Sequence, residues 1–158
     1  MNRTCTIIAS LVVGGLTGAW ITHTLAAPKE NAISTQVRAW NDARSHVDSW
    51  GEMRFYFTGE TYATKDLLTA VAVVKPGESV HPAHRHAEEE FLVIAEGSGQ
   101  WHVDGREFPA NKGDVLYVEP WLFHGLVNTG QTPLTFLVIR WNGKGLPVPP
   151  EPPGDHGR

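Results

Sequence analysis

The sequence predicts an all-β domain, folded as an antiparallel sandwich or barrel. From Met53 onward, short runs rich in Val, Phe, Tyr, Ile and Leu alternate with turn residues such as Pro76-Gly77 and Lys112-Gly113-Asp114. Many short strands at even spacing are typical of sandwiches and barrels. Asp104-Gly105 also marks a tight hairpin. The predicted strands are 53–58, 67–75, 90–96, 99–103, 106–109, 114–118, 124–128 and 133–141.

Length and composition indicate one ordinary globular domain. The chain has 158 residues, of which 41% are apolar and 19% are charged, a mixture that supports one buried core. The net charge of -4 comes without any cluster of Lys and Arg. Because phosphate binding needs such clusters, we expect no nucleic-acid partner. The single cysteine, Cys5, excludes an internal disulfide.

Residues 1–26 are predicted to be a signal peptide or a membrane anchor. Arg3 is the only early charge, and an uncharged apolar stretch leads to the small residues before Pro28. This layout is typical of a secretory signal, with cleavage expected after Ala26. The alternative is an uncleaved segment that tethers the protein through residues 7–27. Both predict an exported protein that is periplasmic, secreted or anchored to the inner membrane.

Two further segments flank the predicted barrel. Residues 27–66 are interpreted as an N-terminal extension with a short helix and a first strand. The helix is predicted because the following residues have roughly helical spacing and precede Gly51: Ile33, Val37, Trp40, Val47 and Trp50. Residues 143–158 are rich in proline. Since proline lacks a backbone donor, we expect an extended, disordered tail.

The stretch HPAHRHAEEE raises the question of a metal site. Residues of equal parity point to the same face of an extended chain. His84 and His86 therefore project together, and Glu90 joins them if the strand continues. Two imidazoles and a carboxylate suit a divalent transition metal. Taken alone, an HxH pair fits a solvated surface equally well.

The wider spacing resembles the two signatures of the cupin family. The first signature is a glycine, an HxH pair, a glutamate and a glycine, matched here by Gly77, His84, His86, Glu90 and Gly97. The second runs from Gly113 to His124, eleven positions later, and on to Asn128.

This sequence departs from the family pattern at three points. One extra residue separates Gly77 from His84, Pro120 comes one position late, and Leu122 stands where a glycine is usual. The turn before His124 is therefore expected to have its own shape.

The resemblance implies a jelly-roll barrel over residues 67–142. It also implies that His84, His86, Glu90 and His124 bind one divalent transition metal ion, namely Fe, Mn, Zn, Ni or Cu. Four protein ligands on an octahedral ion would leave two positions for water, dioxygen or a small-molecule substrate. Trp101, Trp121, Phe123 and Trp141 are candidates for the pocket lining, although aromatic residues in small barrels more often form the core.

Two classes of function remain open on this basis. The first is a metal-dependent enzyme that acts on a small molecule, such as a dioxygenase or a related isomerase, lyase or decarboxylase. The second is a non-catalytic exported protein that binds a metal or a small ligand, for example as a sensor. A homodimer is implied by the resemblance alone.

Overall fold

The computed structural model describes residues 32–154, which form two antiparallel sheets wrapped around one core. The larger sheet has the strand order β1-β2-β3-β9-β4-β7, and the smaller has the order β6-β5-β8. The strands are β1 Arg44–Asp48, β2 Gly51–Gly59, β3 Thr64–Val74, β4 Glu89–Glu96, β5 Ser98–Val103, β6 Arg106–Asn111, β7 Val115–Val118, β8 His124–Val127 and β9 Leu134–Gly143. The predicted all-β barrel is thereby confirmed.

All eight predicted strands are present, with ends that move by a few residues. The hairpin predicted at Asp104-Gly105 joins β5 and β6, and both residues have positive φ, 48° and 73°. Two successive positive φ values define the type I′ turn, whose twist matches that of paired strands. The barrel was expected to begin at residue 67, but the larger sheet also includes residues before it, because β2 pairs with β3 along the whole length of β2.

The helix predicted across residues 33–50 is wrong. The structure has a single 3₁₀ turn at Trp40–Asp42 there, followed by strand β1. Val37 and Val47 are 96% and 72% exposed, so the helical spacing of apolar residues never formed a buried face. β1 instead pairs with β2 across a tight turn that ends at Gly51. A Cβ at Gly51 would lie 2.1 Å from the Val73 carbonyl oxygen, so this approach requires glycine.

The core lies between the inward faces of the two sheets. Along β9, Leu134, Phe136 and Val138 are buried and alternate with more exposed residues, as expected for a strand with one face on the core. The buried cluster consists of Ala72, Val74, Leu92, Ile94, Trp101, Ala110, Leu126, Leu134, Phe136 and Val138. Trp101 is therefore a core residue.

Several expectations concern residues outside 32–154. The signal peptide or anchor at 1–26, the tether at 7–27 and the last residues of the predicted tail all lie outside the described residues. Within 32–154, no helix is long and apolar enough to cross a membrane.

Asn128 joins the turn after β8 to the end of β3. Its side chain is fully buried and its Nδ2 donates to the carbonyl oxygens of Val74 and Thr132, at 2.8 and 2.9 Å. Its Oδ1 accepts a hydrogen bond of 3.0 Å from the Gly130 N–H. One buried amide thus satisfies three backbone groups, which explains why an asparagine stands at this place.

We predict that Asn128→Ala lowers the free energy of unfolding by about 2–4 kcal/mol, because it leaves several backbone groups without partners in the interior. Urea denaturation of the two proteins measures the difference. Asn111→Ala is the matched control: Asn111 is exposed, and its change should cost less than about 0.5 kcal/mol. Equal losses in the two variants would contradict this role of Asn128.

Candidate metal centre

The loop that carries His84 is held against β8 by a reciprocal pair of backbone hydrogen bonds. The His84 N–H donates to the His124 carbonyl oxygen, and the His124 N–H donates to that of His84, both at 2.8 Å. Gly125 permits this approach, because a Cβ there would lie 2.9 Å from the Ala83 Cβ. Two motifs that are forty positions apart in the chain are thus fixed side by side.

Three histidines converge at this junction. One ring nitrogen from each of His84, His86 and His124 lies within 4.8 Å of the others. The ring centroids are 4.8 to 5.2 Å apart. His124 is 2% exposed, and the other two rings are half-buried. The parity argument therefore placed His84 and His86 correctly relative to each other, and the second motif supplied His124.

Glu90 lies beside two of these rings. It is 6% exposed, and its Oε2 is 2.8 Å from His124 Nε2 and 3.2 Å from His86 Nε2. It is the second residue of β4, so its inward direction follows from the strand. Its neighbours Glu88 and Glu89 are more exposed, and Glu89 accepts a hydrogen bond from the Tyr117 hydroxyl.

The hydrogen bonds behind the rings determine which nitrogen faces the centre. His124 Nδ1 is 2.9 Å from the Leu122 carbonyl oxygen, and His86 Nδ1 is 3.1 Å from that of Glu88. A carbonyl oxygen only accepts, so each Nδ1 carries the hydrogen. A neutral ring then presents a lone pair at Nε2, towards a carboxylate oxygen that also only accepts.

This arrangement of acceptors fits a metal ion. The Nε2 atoms of His86 and His124 face the same oxygen of Glu90, and a cation bound between these atoms would be held by all three residues. His84 Nδ1 is in addition buried without a hydrogen-bond partner among the described residues.

The electrostatics of the site keep His84 and Glu90 free of protons. Burial lowers the pKa of His84 from 6.5 to about 4, and the nearby rings of His81, His124 and His86 act in the same direction. Burial opposes ionisation of Glu90, but its contacts with His124 and His86 outweigh this effect and lower its pKa to about 2. A neutral imidazole and an ionised carboxylate are the forms that bind metals.

One side of the cluster opens into a cavity of about 230 Å³. His84, Glu90, His124 and Arg140 contribute polar groups to its wall, and most of the remaining lining is aliphatic or aromatic. His81 also lines it, with an exposed ring 4.1 Å from that of His84, but it is not one of the three converging histidines. The full lining is Met53, Phe55, Leu68, Val80, His81, His84, Glu90, Leu92, His124, Gly125, Leu126, Phe136, Val138 and Arg140.

Trp121, Phe123 and Trp141, which were expected to line the pocket, do not line this cavity. Trp121 faces the C-terminal segment, and Trp141 stacks on Phe91 with ring centroids 5.6 Å apart. The aromatic rings of the lining belong to Phe55 and Phe136. Sequence reasoning also missed Arg140. Its parity with the buried residues of β9 was the available signal.

The C-terminal segment contacts both loops that lead to the histidines. Arg85, between His84 and His86, forms a 2.9 Å ion pair with Glu151. Trp121 Nε1 donates to the Pro149 carbonyl oxygen at 2.8 Å, while its backbone N–H donates to that of His86 at 2.7 Å. Trp121 has a φ of 67°, a left-handed conformation that is unfavourable for a bulky residue. These hydrogen bonds hold the turn that precedes His124.

Comparison with known sequences places the chain in a family. A family model described as a cupin domain matches residues 70–140. An oxalate-binding protein from Thermotoga maritima is 33% identical over 88 residues, which cover 56% of this chain and 73% of that protein. A gentisate 1,2-dioxygenase from a Streptomyces species is 37% identical over 94 residues, which cover 59% of this chain. The match spans 24% of that dioxygenase, about a quarter of its length.

Solved structures share the fold. A protein described as a predicted oxalate decarboxylase from Thermotoga maritima aligns with a TM-score of 0.56 and 25% identity, covering 68% of this chain and 99% of that one. An RmlC-like cupin from Shewanella frigidimarina aligns with a TM-score of 0.56 over 71% of this chain and 95% of its own. At 16% identity, this second likeness concerns the fold alone.

We predict that the metal-free protein loses stability as the pH falls from about 6.5 towards 4. The unfolded chain takes up a proton at His84 in this window, whereas the folded chain, with its pKa of about 4, does not. Between pH 7 and pH 5 the contribution is about 1 kcal/mol after allowance for the half-buried ring. Urea denaturation of chelator-treated protein measures it.

His84→Asn should remove this part of the pH dependence. His102→Asn, at a ring outside the histidine cluster, is the control and should keep it. A wild-type slope that survives in His84→Asn would contradict the assignment.

We also predict that Glu151→Gln speeds the loss of zinc from the zinc-loaded protein to a chelator by about two- to fivefold. An ion pair of this exposure contributes up to about 1 kcal/mol, and the Arg85 backbone connects it directly to two ring-bearing residues. Glu96→Gln breaks a pair with Lys112 and should not change the rate. Equal rates in all three proteins would show that the tail does not steady this loop.

Proposed function

The chain belongs to the cupin family, and from this premise we propose that it is a metal-dependent protein acting on a small molecule. His84, His86, Glu90 and His124 would hold one divalent transition metal ion at the wall of the cavity. The observation that carries the proposal is the convergence of three histidines beside a buried carboxylate, on the edge of an otherwise apolar cavity.

Each residue has a distinct part in this proposal. The carbonyl oxygens of Leu122 and Glu88 orient His124 and His86, so that each presents Nε2 to the centre. Glu90 supplies the negative charge that partly neutralises the cation, and the apolar walls exclude bulk water from the reacting molecule. The bound metal would polarise an oxygen of the substrate or activate dioxygen.

We propose an enzyme, namely a dioxygenase or a related isomerase, lyase or decarboxylase, as the first candidate. Support comes from the gentisate dioxygenase relative and from the open side of the site, which a structural metal would not need. The second candidate is a non-catalytic binding or sensor protein. It is supported by the oxalate-binding relative, of whose length the match covers 73%.

The compartment in which the protein folds affects which metal ion it acquires. If residues 1–26 direct export of an unfolded chain, the ion is acquired outside the cytoplasm, and the affinity order of divalent metals then favours copper or zinc. Export and a homodimer are parts of the proposal, with a membrane tether through residues 7–27 as the alternative to cleavage of the signal peptide. Metal analysis of protein isolated from its native compartment tests this part, and the absence of both copper and zinc would contradict it.

We predict that the purified protein binds about one divalent ion per chain and that His84→Ala, His86→Ala and His124→Ala each weaken metal binding at least tenfold. Competition with a chromogenic chelator measures the affinity. His102→Ala is the control, because His102 contacts Glu107 and is not one of the converging histidines. Unchanged affinity in all three variants would refute the metal centre.

Turnover separates the two candidates. Oxygen uptake and product formation are measured with diketones, catechols, thiols and hydroxy acids, with the metal-loaded and the chelated protein. Metal-dependent turnover supports the enzyme. Saturable ligand binding without turnover supports the binding protein.

A further inference from the structure

Arg140 is a cation on the inward face of the barrel. It belongs to β9, where Leu134, Phe136 and Val138 share its parity and are buried. Its partner across the sheet is Glu90 on one side and Leu68 on the other. Both partners line the cavity together with Arg140. A positive charge therefore stands at the cavity wall, next to the proposed metal ligands.

The charge of Arg140 is only loosely compensated within the protein. Among residues 32–154 its guanidinium makes no hydrogen bond, and its one ion pair is a contact of 3.9 Å between Nε and Glu88 Oε1. Other basic residues have much closer partners, since Arg54 lies 2.7 Å from Glu52 and Lys144 lies 2.8 Å from Glu60. A guanidinium has five donors, and those of Arg140 are available to a ligand.

The rest of the cavity limits what that ligand can be. Most of the other lining side chains are apolar, and the volume of about 230 Å³ is below that of sites for drug-sized molecules. Arg140 is the only lysine or arginine among the lining residues. One planar guanidinium matches a carboxylate, which it binds through two parallel hydrogen bonds. A phosphate dianion would require more positive charge.

We propose that Arg140 is the specificity-determining residue of this cavity and that the ligand is a small carboxylate with an apolar body. Its carboxylate lies against Arg140, at the same end of the cavity as Glu90 and His84, and its body lies among Met53, Phe136 and the other apolar residues. This inference deepens the proposed function and rests on it only for the identity of the neighbouring metal.

The test compares carboxylates with neutral molecules of the same shape. Binding of benzoate and pentanoate, and of benzamide and pentanamide, is measured by calorimetry on the zinc-loaded and the chelated protein. The wild type should prefer at least one carboxylate over its amide by about ten- to a hundredfold, the worth of a charge-assisted bidentate contact. Equal binding of acid and amide, or no saturable binding of any probe, would overturn the proposal.

Variants assign the preference to the residue. Arg140→Gln should abolish it, and Arg140→Lys should retain only part of it, because lysine cannot make the paired contact. Arg106→Gln, at an exposed arginine of the β5–β6 hairpin, is the matched control and should behave as the wild type. If the preference persists in Arg140→Gln, the anion binds the metal or another residue, and the proposal is wrong.

Two further measurements separate this inference from a purely structural role of Arg140 and from the proposed metal centre. If Arg140 served only to pair with Glu88, then Glu88→Gln and Arg140→Gln would lower Tm alike and leave ligand preference unchanged. Metal content is determined for every variant. If the protein takes up no metal but still distinguishes acid from amide through Arg140, the metal centre is refuted and the carboxylate site is supported. If it binds metal but shows no such preference, the carboxylate site is refuted and the metal centre is supported.

Discussion

The candidate site depends on one short piece of backbone pairing, the two hydrogen bonds that join His84 to His124. Neither histidine motif can form a site alone, because the first lies in a loop before β4 and the second begins β8 in the other sheet. The bridge fixes both at once and needs a glycine at position 125 to bring the chains close enough. The geometry of the rings is therefore a property of the backbone, held before any ligand arrives.

One buried polar atom of the site, His84 Nδ1, has no hydrogen-bond partner among residues 32–154. The rings of His86 and His124 donate outward to carbonyl oxygens, and their inner nitrogens meet the same oxygen of Glu90. Buried polar groups are normally satisfied, and exceptions point to function. The protein tolerates this exception where the barrel opens into a cavity, which is the place where a bound cation and a ligand can meet.

The sequence predicted much of this arrangement, and the reasons for its success and failure are physical. Strand parity is local, so it correctly paired His84 with His86. Glu90 also faces inward, but the chain bends at residues 87–88 and β4 begins only at Glu89, so its direction is set by β4 and not by one unbroken strand. The assignment of His124 needed the family resemblance, because no local pattern distinguishes a metal-binding histidine in a strand from one that only packs in the core. The helix at 33–50 failed because apolar spacing reports burial only when a partner surface exists, and Val37 and Val47 have none. Arg140 and the contact between Arg85 and Glu151 depend on which strands become neighbours, and that is decided by the tertiary fold.

With a metal ion bound, the charges of the proposed site would favour an anion in the cavity. A divalent ion held by neutral imidazoles and a single carboxylate would keep a net positive charge, since His84 stays neutral at physiological pH. Arg140, on the neighbouring strand β9, adds another positive charge. Glu88 offsets this charge only weakly, because the two side chains are 3.9 Å apart. Both charges face a small apolar cavity, where screening by water is weak. Such a cavity discriminates by charge at one end and by shape along the rest, so that a small molecule with an anionic head and an apolar body satisfies both at once.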